Sequence, residues 1–401
     1  MNSKTCLIIA GEASGDTLAA ELVQALRRIT DWRFIGAGGS KMQAAGVDLS
    51  LDLTAHAVVG IWEVLKHYPE LRQLFNQLID LALRELPDVI ILVDYPGFNL
   101  RYVAAIKKMV RARVGPFKNW NPKIVYYVSP QIWAWHESRV HKIDRDVDLL
   151  LSIFPFEKKW YAARAPHLRV EFVGHPLVDR FASTPAAHPA PLSPTDHGGK
   201  SLILLLPGSR PRELQKHVPV LAQTAQIIQR KLDARFLLIA PNAQLAETAQ
   251  RLIATTSTIA TNSSVEVQIG GLADSLRSAT FALACSGTVT MECAYFGVPS
   301  IIFYKTSWGT YQLGKRLIKV NYLAMANLLN EGVVYPEFIQ DAATPEAIAS
   351  ETRAILENPA RMADIKATLA KVIASLGPPG ASHRAAQAVA SLFSRIHFAG
   401  A

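Results

Sequence analysis

Asp94 closes a run of five apolar residues, Val89–Val93, and opens the turn Asp94-Tyr95-Pro96-Gly97-Phe98-Asn99. A carboxylate delivered by a buried strand into low-dielectric surroundings suits general-base work, because desolvation raises its affinity for a proton. The same position suits a plain turn former, and the residues alone leave both readings open. Further along, the apolar run 202–206 leads into Pro207-Gly208-Ser209-Arg210 and then Pro211, whose fixed φ favours a first helical position. A strand, a small-residue turn and a helix start bring backbone N–H groups together; with Arg210 beside them the chemistry is anion binding. The run 280–285 leads likewise into Ser286-Gly287-Thr288. Glu292 follows Thr288 by four residues and shares its helix face, where a carboxylate can accept from both hydroxyls of a ribose. Two phosphate-type turns in one half of the chain point to a nucleoside diphosphate, although each is also an ordinary strand-to-helix connection with an N-cap.

The segment Gly11-Glu12-Ala13-Ser14-Gly15-Asp16 differs from these. Two carboxylates argue against a phosphate cradle and for hydroxyl recognition, as of a sugar. A helix cap by Ser14 or Asp16 accounts for the same residues. Ile61, Trp62, Val64, Leu65, Tyr68, Leu71, Leu74, Phe75 and Leu78 form a stretch of large apolar groups interleaved with Lys66, His67 and Arg72. Its periodicity fits a core helix pair; an exposed version would dip into a membrane surface or hold acyl chains.

Other chemistries are set aside. Gly36 and Gly38 begin a dinucleotide fingerprint, but Lys41 stands where its third glycine belongs, and there is no P-loop. His136 and His141 are five apart, one too many for a helical zinc pair. Asp144-Arg145-Asp146-Val147-Asp148 precedes an apolar run and reads as a solvated strand entry. No metal and no cofactor are expected.

The elements that must position these groups follow from periodicity. Short apolar runs near 5–10, 33–36, 89–93, 123–128, 149–154 and 170–173 alternate with helical patterns, which predicts a parallel, doubly wound sheet. Residues 181–200, with Pro185, Pro189, Pro191 and Pro194, predict a linker, after which the alternation restarts with strands near 201–206, 235–240, 265–270, 280–285 and 298–303. Helices are expected at 345–356, 361–376 and 382–395. The fold class is therefore α/β, two Rossmann-like domains with parallel sheets: 1–180, then the linker 181–200, then 201–370. Helices 371–401 are expected to pack back on the first domain. Ligands of such sheets bind beyond the carboxyl ends of the strands, so an active cleft between the two domains is expected.

The 401 residues are 50% hydrophobic and 19% charged, in keeping with a well-packed globular chain. Three cysteines without metal spacing suit a reducing, cytoplasmic compartment. The apolar run Cys6 to Ala10 is too short for a signal peptide or membrane span. A net charge of +9 and a pI near 9.4 suit nucleic acid, an anionic membrane or phosphorylated substrates. No nucleic-acid-binding motif is present, and nucleic acid is not an expected partner.

In their order along the chain these motifs resemble the lipid-A-disaccharide synthases, glycosyltransferases of the two-domain GT-B type. The resemblance covers nearly the whole length. It rests on the Gly11–Asp16 loop, Gly60-Ile-Trp-Glu-Val-Leu65, Asp94–Asn99 and Val128-Ser-Pro-Gln-Ile-Trp-Ala-Trp135. It continues through Phe154-Pro-Phe-Glu157, Gly174-His-Pro176, Leu206–Arg210 with Glu213, Ser286–Thr288 with Glu292, Lys315-Arg316-Leu317 and Asn327-Leu-Leu329.

The resemblance implies inverting transfer of 2,3-diacylglucosamine from its UDP donor to the 6-hydroxyl of 2,3-diacylglucosamine 1-phosphate, with UDP released. It implies Asp94 as the base, with Glu12 second to it, and Ser14, Gly15 and Asp16 lining the sugar. Gly208, Ser209 and Arg210 with Ser286, Gly287 and Thr288 would hold the diphosphate, Glu292 the ribose, and Asn327 would lie near the nucleotide. Ile61, Trp62, Val64, Leu65 and Leu71 would contact acyl chains or membrane. The expected location is cytoplasmic, peripheral on the inner face of the inner membrane, with an anionic membrane surface as partner; monomer and homodimer both remain open. Gly97 stands where some members carry Asp. A UDP-sugar epimerase or another UDP-N-acetylglucosamine-type glycosyltransferase on the same architecture is the enzymatic alternative, and a non-catalytic lipid-binding protein the other.

Overall fold

A computed structural model describes residues 3–53, 68–112, 119–182, 200–256 and 265–393. The chain divides into two compact units, one formed by Met1–Ala182 with Leu376–Ala401, the other by Ser183–Ser375. Each is a parallel sheet covered by helices, the α/β architecture expected from the alternating pattern.

In the first unit the strands are β1 (Thr5–Ala10), β2 (Arg33–Gly38), β3 (Asp48–Asp52), β4 (Val89–Val93), β5 (Lys123–Tyr127), β6 (Leu149–Ser152) and β7 (Val170–Phe172). They form one seven-stranded sheet in the order β3-β2-β1-β4-β5-β6-β7. Its helices are α1 (Ala13–Arg27), α2 (Ser40–Ala44), α3 (Tyr68–Glu85), α4 (Pro96–Ala112), α5 (Ile132–Trp135), α6 (Val140–Asp146), α7 (Pro155–Ala162) and α8 (Pro176–Ala182). In β1 and β4 the residues from Cys6 to Ala10 and from Val89 to Val93 are fully buried. Such uninterrupted apolar runs are what a sheet covered on both faces requires. The order reverses direction between β1 and β4, with Ala10 paired to Val93. A crevice opens at such a switch point, because the connections leave the two strands in opposite directions.

The second unit repeats the plan. Strands β8 (Ser201–Leu206), β9 (Ala234–Ala240), β10 (Val265–Ile269), β11 (Phe281–Cys285), β12 (Ser300–Tyr304) and β13 (Glu337–Ile339) lie in the order β10-β9-β8-β11-β12-β13. Here the switch point falls between β8 and β11, with Leu206 paired to Ala284. The helices are α9 (Pro211–Gln229), α10 (Ala243–Thr256), α11 (Leu272–Ser278), α12 (Val289–Tyr295), α13 (Trp308–Leu317), α14 (Met325–Asn330), α15 (Pro345–Leu356) and α16 (Pro359–Ser375). The boundary expected at 370 falls inside α16, which runs on to Ser375 before the chain changes units.

The last helix, α17 (Ala381–Ser391), belongs to the first unit and packs on α1 and α8. The carboxylate of Asp179 fixes it by accepting the N–H groups of Gly380 (2.6 Å), Ala381 (3.0 Å) and Ser382 (3.0 Å). These are donors that a helix N-terminus otherwise leaves open.

Two sequence expectations change. Asp144–Asp148 is not a solvated entry: Asp146 is buried and held by Arg145 and Arg111, and Asp148 accepts from the Ile124 N–H and Lys107. The long apolar stretch divides. Leu78, Ile79, Leu81 and Ala82 of α3 are core, with Leu74 and Phe75 packed against it, whereas Leu71 is half-buried. Ile61, Trp62, Val64 and Leu65 lie outside the described residues. Among the described residues no helix is long and apolar enough to cross a membrane.

Candidate active site

The carboxyl ends of β1 and β4 bring Glu12 and Asp94 together. Glu12 is the extended N-cap residue of α1, and its side chain makes no cap hydrogen bond. Asp94 follows β4 directly. Both Asp94 (φ 47°) and Tyr95 (φ 48°) adopt the left-handed conformation, which costs a non-glycine residue on the order of 1–3 kcal/mol. The surroundings hold that geometry. The Asp94 N–H donates to the Tyr127 carbonyl (3.0 Å). The Asp94 carbonyl accepts from the Tyr126 hydroxyl (2.6 Å) and the Asn99 amide (2.7 Å). Tyr95 lays its ring where any side chain at position 11 would be, the built Cβ lying 2.3 Å from Tyr95 Cδ1, so Gly11 is required for this contact. Burial, then the negative charge of Glu12, raise the Asp94 carboxyl to about 6, while a hydrogen bond from the Tyr95 N–H opposes them. A group with that affinity is ionised near neutrality yet far more basic than a surface aspartate, which is what a proton acceptor needs.

The neighbouring loop separates its residues by task. Ser14 is exposed on the first turn of α1. Gly15 is buried and lets that turn approach the sheet, its built Cβ standing 3.6 Å from Ala10 Cβ and 3.7 Å from the Val93 carbonyl oxygen. Asp16 points elsewhere. Its carboxylate accepts the N–H groups of Gly39 (2.8 Å), Lys41 (3.1 Å) and Met42 (3.1 Å). Expected to line a sugar or cap its own helix, Asp16 instead caps α2, and its carboxylate is taken up by that task.

In the second unit the two turns expected to bind anions leave adjacent strands. Gly208 (φ 114°) turns the chain after β8. A side chain there would meet Glu213 Oε2 at 2.3 Å and Cys285 Sγ at 3.1 Å. Ser209 and Arg210 are exposed. Glu213, in the first turn of α9, folds back: Oε2 accepts from the Ser209 N–H (3.1 Å), and Oε1 lies 3.4 Å from Arg210 Nη1. The protein's own carboxylate thus takes the donors that a phosphate would use. Across the switch point, Ser286 is half-buried, Gly287 and Thr288 are exposed, and Glu292 lies in the first turn of α12.

Asn327, expected near the nucleotide, has its side chain committed to the fold. It is buried; its amide donates to the Tyr335 carbonyl and to Glu337, and its oxygen accepts from Val334 and Tyr335 N–H groups, all at 2.8 Å. That side chain fixes the approach to β13 and has no capacity left for a ligand.

Sequence reasoning also missed His217, buried in α9. Its Nδ1 lies 2.7 Å from the Pro207 carbonyl, and its Nε2 accepts from the Lys305 N–H at 3.1 Å. Burial lowers its pKa, which suits a neutral ring donating on one side and accepting on the other. The ring thereby joins the turn after β8 to the end of β12. Its position four residues after Glu213, on the same face of a helix, was the signal available.

The family model described as lipid-A-disaccharide synthetase matches residues 6–392. The lipid-A-disaccharide synthase of Geobacter sulfurreducens is 38% identical over 395 residues, covering 98% of each chain. That of Syntrophus aciditrophicus is 38% identical over 390 residues, covering 96% of this chain and 97% of its own. The chain belongs to the lipid-A-disaccharide synthase family. Members of this family are glycosyltransferases, and solved structures agree on the fold. A putative UDP-N-acetylglucosamine 2-epimerase from Listeria monocytogenes has a TM-score of 0.66 at 14% identity, covering 98% of this chain and 97% of its own. A calicheamicin glycosyltransferase has a TM-score of 0.60 at 14% identity, covering 99% and 100%. Both pair the two-sheet GT-B architecture with low identity, so they speak for fold alone. For this synthase family member, the switch point between β1 and β4 gathers Glu12 and Asp94, and that between β8 and β11 gathers the two anion-type turns.

Proposed function

We propose that the protein makes the lipid A disaccharide by inverting transfer of 2,3-diacylglucosamine from its UDP donor to the 6-hydroxyl of 2,3-diacylglucosamine 1-phosphate. The single observation that carries the reaction chemistry is Asp94, held in a strained turn at the switch point with its carboxyl raised to about 6 by burial and by Glu12. In this reading Asp94 removes the proton of the 6-hydroxyl as that oxygen bonds to the anomeric carbon of the donor. The bond from that carbon to the diphosphate oxygen breaks on the opposite face, which inverts the configuration, and the electron pair leaves with UDP. A positioned base contributes ~10²–10⁴ in rate.

The Ser209 and Arg210 donors, with the Ser286–Thr288 turn, receive the diphosphate and stabilise the charge that develops on it. Glu213 yields its place to the phosphate, and Glu292 accepts the ribose hydroxyls. Glu12 and Ser14 line the sugar side. The excess of positive charge suits peripheral attachment to the anionic inner face of a membrane, with half-buried Leu71 the described residue of the expected acyl contact.

Mass spectrometry of products from UDP-diacylglucosamine and the monosaccharide 1-phosphate tests this. A disaccharide 1-phosphate formed in step with UDP is expected, with the β anomer assigned by NMR. UDP release that does not depend on the acceptor, or no disaccharide from intact protein, overturns it.

A further inference from the structure

We propose that Arg101 and Arg139, with the exposed ring of Trp135, form an anion subsite that takes the phosphate of the acceptor sugar. The inference rests on the glycosyl transfer proposed above and adds to it the residues that select a phosphorylated acceptor.

The topology puts these groups beside Asp94. Strands β4 and β5 are neighbours, with Val93 paired to Tyr127. Arg101 lies in α4, which begins just after Asp94; Trp135 and Arg139 lie on the segment that follows β5. Tyr126 of β5 connects the two places. Its hydroxyl donates to the Asp94 carbonyl at 2.6 Å, and the positive charge of Arg139 acts on the same phenol.

The side chains offer an anion cationic and aromatic contacts. Arg139 sits with its guanidinium 5.3 Å from the centre of the Trp135 ring, and the ring of His136 is 4.4 Å from that indole. The carboxylate nearest in sequence, Glu137, is paired with Arg164 at 2.5 Å. Among the described residues neither Arg101 nor Arg139 takes part in an ion pair. Burial first, and then Arg101, hold the Arg139 pKa below its usual value; burial and Arg139 do the same to His136. Guanidinium groups that no described carboxylate engages in an ion pair keep their forks open, and a phosphate offers the oxygens that such forks bind in pairs.

The aromatic platform is equally specific. Trp133 is buried, its Nε1–H donating to Glu157 at 3.0 Å, whereas Trp135 leaves 40% of its surface exposed. An indole face beside a guanidinium receives the C–H face of a pyranose while the arginines take its phosphate. A lipid headgroup phosphate offers the same anion, so the test separates the two sources.

The preference of the enzyme, as the ratio of kcat/KM for the 1-phosphorylated acceptor over the same acceptor without phosphate, is compared in wild type, Arg139→Ala and Arg101→Gln. Loss of a charge-assisted contact is expected to lower this ratio roughly 10–100-fold, through KM for the phosphorylated acceptor, with partial recovery in Arg139→Lys. An unchanged ratio overturns the subsite.

A binding arm is independent of turnover. Titration of intrinsic tryptophan fluorescence with glucosamine 1-phosphate, glucosamine and vesicles of phosphatidylglycerol should show saturable quenching by the first and none by glucosamine, lost in Arg139→Ala, whereas any vesicle signal should survive that substitution. Quenching by vesicles only assigns the cluster to the membrane and overturns the proposal. Should wild type make no disaccharide from either acceptor, the transfer reading fails by itself, and the fluorescence arm still decides whether the cluster binds a sugar phosphate. Melting temperature and UDP affinity, both expected to stay near wild type, serve as the folding controls.

Discussion

Asp94→Asn should make the protein more stable above pH 6 and nearly inactive. The replacement keeps size and hydrogen-bonding outline, and asparagine tolerates the left-handed φ of 47° that position 94 requires. What it removes is the charge. The folded-state pKa is raised, from 3.8 to about 6. Above pH 6 the aspartate is therefore ionised in both folded and unfolded states, and the folded state bears the cost of a desolvated charge next to Glu12. At about 1.4 kcal/mol per pKa unit, that cost is roughly 2–3 kcal/mol. Below about pH 4 the carboxyl is protonated in both states and the cost disappears. Urea denaturation of wild type and variant at pH 7.5 and at pH 4 checks this: the variant should gain roughly 2–3 kcal/mol at the higher pH and little at the lower. UDP release coupled to disaccharide formation should fall by ~10²-fold or more. A pH-independent stability difference, or none, would refute the desolvated carboxylate. Turnover within tenfold of wild type would remove Asp94 from the base role whatever the stability showed.

Asp16→Ala should destabilise the first unit by about 1–3 kcal/mol, because three N–H groups at the start of α2 lose their acceptor; calorimetry checks it, and Asp16→Asn should retain part of the loss. Glu213→Gln should tighten UDP binding by about tenfold, since it removes an anion from the Ser209 and Arg210 donors while keeping an acceptor for the Ser209 N–H; titration calorimetry with UDP reads it, and weaker binding would mean that the carboxylate shapes the loop rather than fills it. Asn327→Ala should cost roughly 3 kcal/mol or more by leaving buried partners unsatisfied, seen as a lower denaturation midpoint, with the UDP affinity of the folded fraction unchanged. Gly97→Asp should leave the melting temperature near wild type, because a Cβ at that position meets no atom within 4 Å.

The fold was legible where burial dictates composition. The runs Cys6–Ala10, Val89–Val93, Leu202–Leu206 and Phe281–Cys285, which became most of β1, β4, β8 and β11, are apolar because a parallel sheet is covered on both faces. Two edge strands, β3 and β13, escaped. In β3 (Asp48–Asp52) exposed and half-buried residues alternate, and β13 spans only Glu337–Ile339, so neither has an apolar run to betray it. The site was legible as residue types and not as partners. Asp16 and Asn327 carry groups that ligands use and stand among ligand-type motifs, yet each is committed to backbone N–H groups brought near by the fold. A carboxylate or amide in a loop has the same appearance in sequence whether it faces substrate or the start of the next helix.

The difference between Asp16 and Asp94 shows what decides such cases. Both follow buried strands that meet at the switch point, Asp94 directly after β4 and Asp16 six residues after the end of β1. Asp16 lies within a helix, and its buried side chain finds three donors at the N-terminus of α2, which commits it to the fold. At Asp94 the partners go to the backbone instead: Tyr126 and Asn99 satisfy its carbonyl and Tyr127 its N–H. The left-handed turn that this arrangement enforces leaves the carboxylate with a single backbone donor, the Tyr95 N–H, against burial and Glu12. A carboxylate that the fold satisfies is a cap, and one that the fold desolvates without satisfying is a base waiting for a proton. Tyr126 and Asn99 are therefore as much a part of the chemistry as Asp94; Asn99 lies in the same Asp94–Asn99 stretch, whereas Tyr126 comes from the neighbouring strand β5, which is why the local sequence announces only the first.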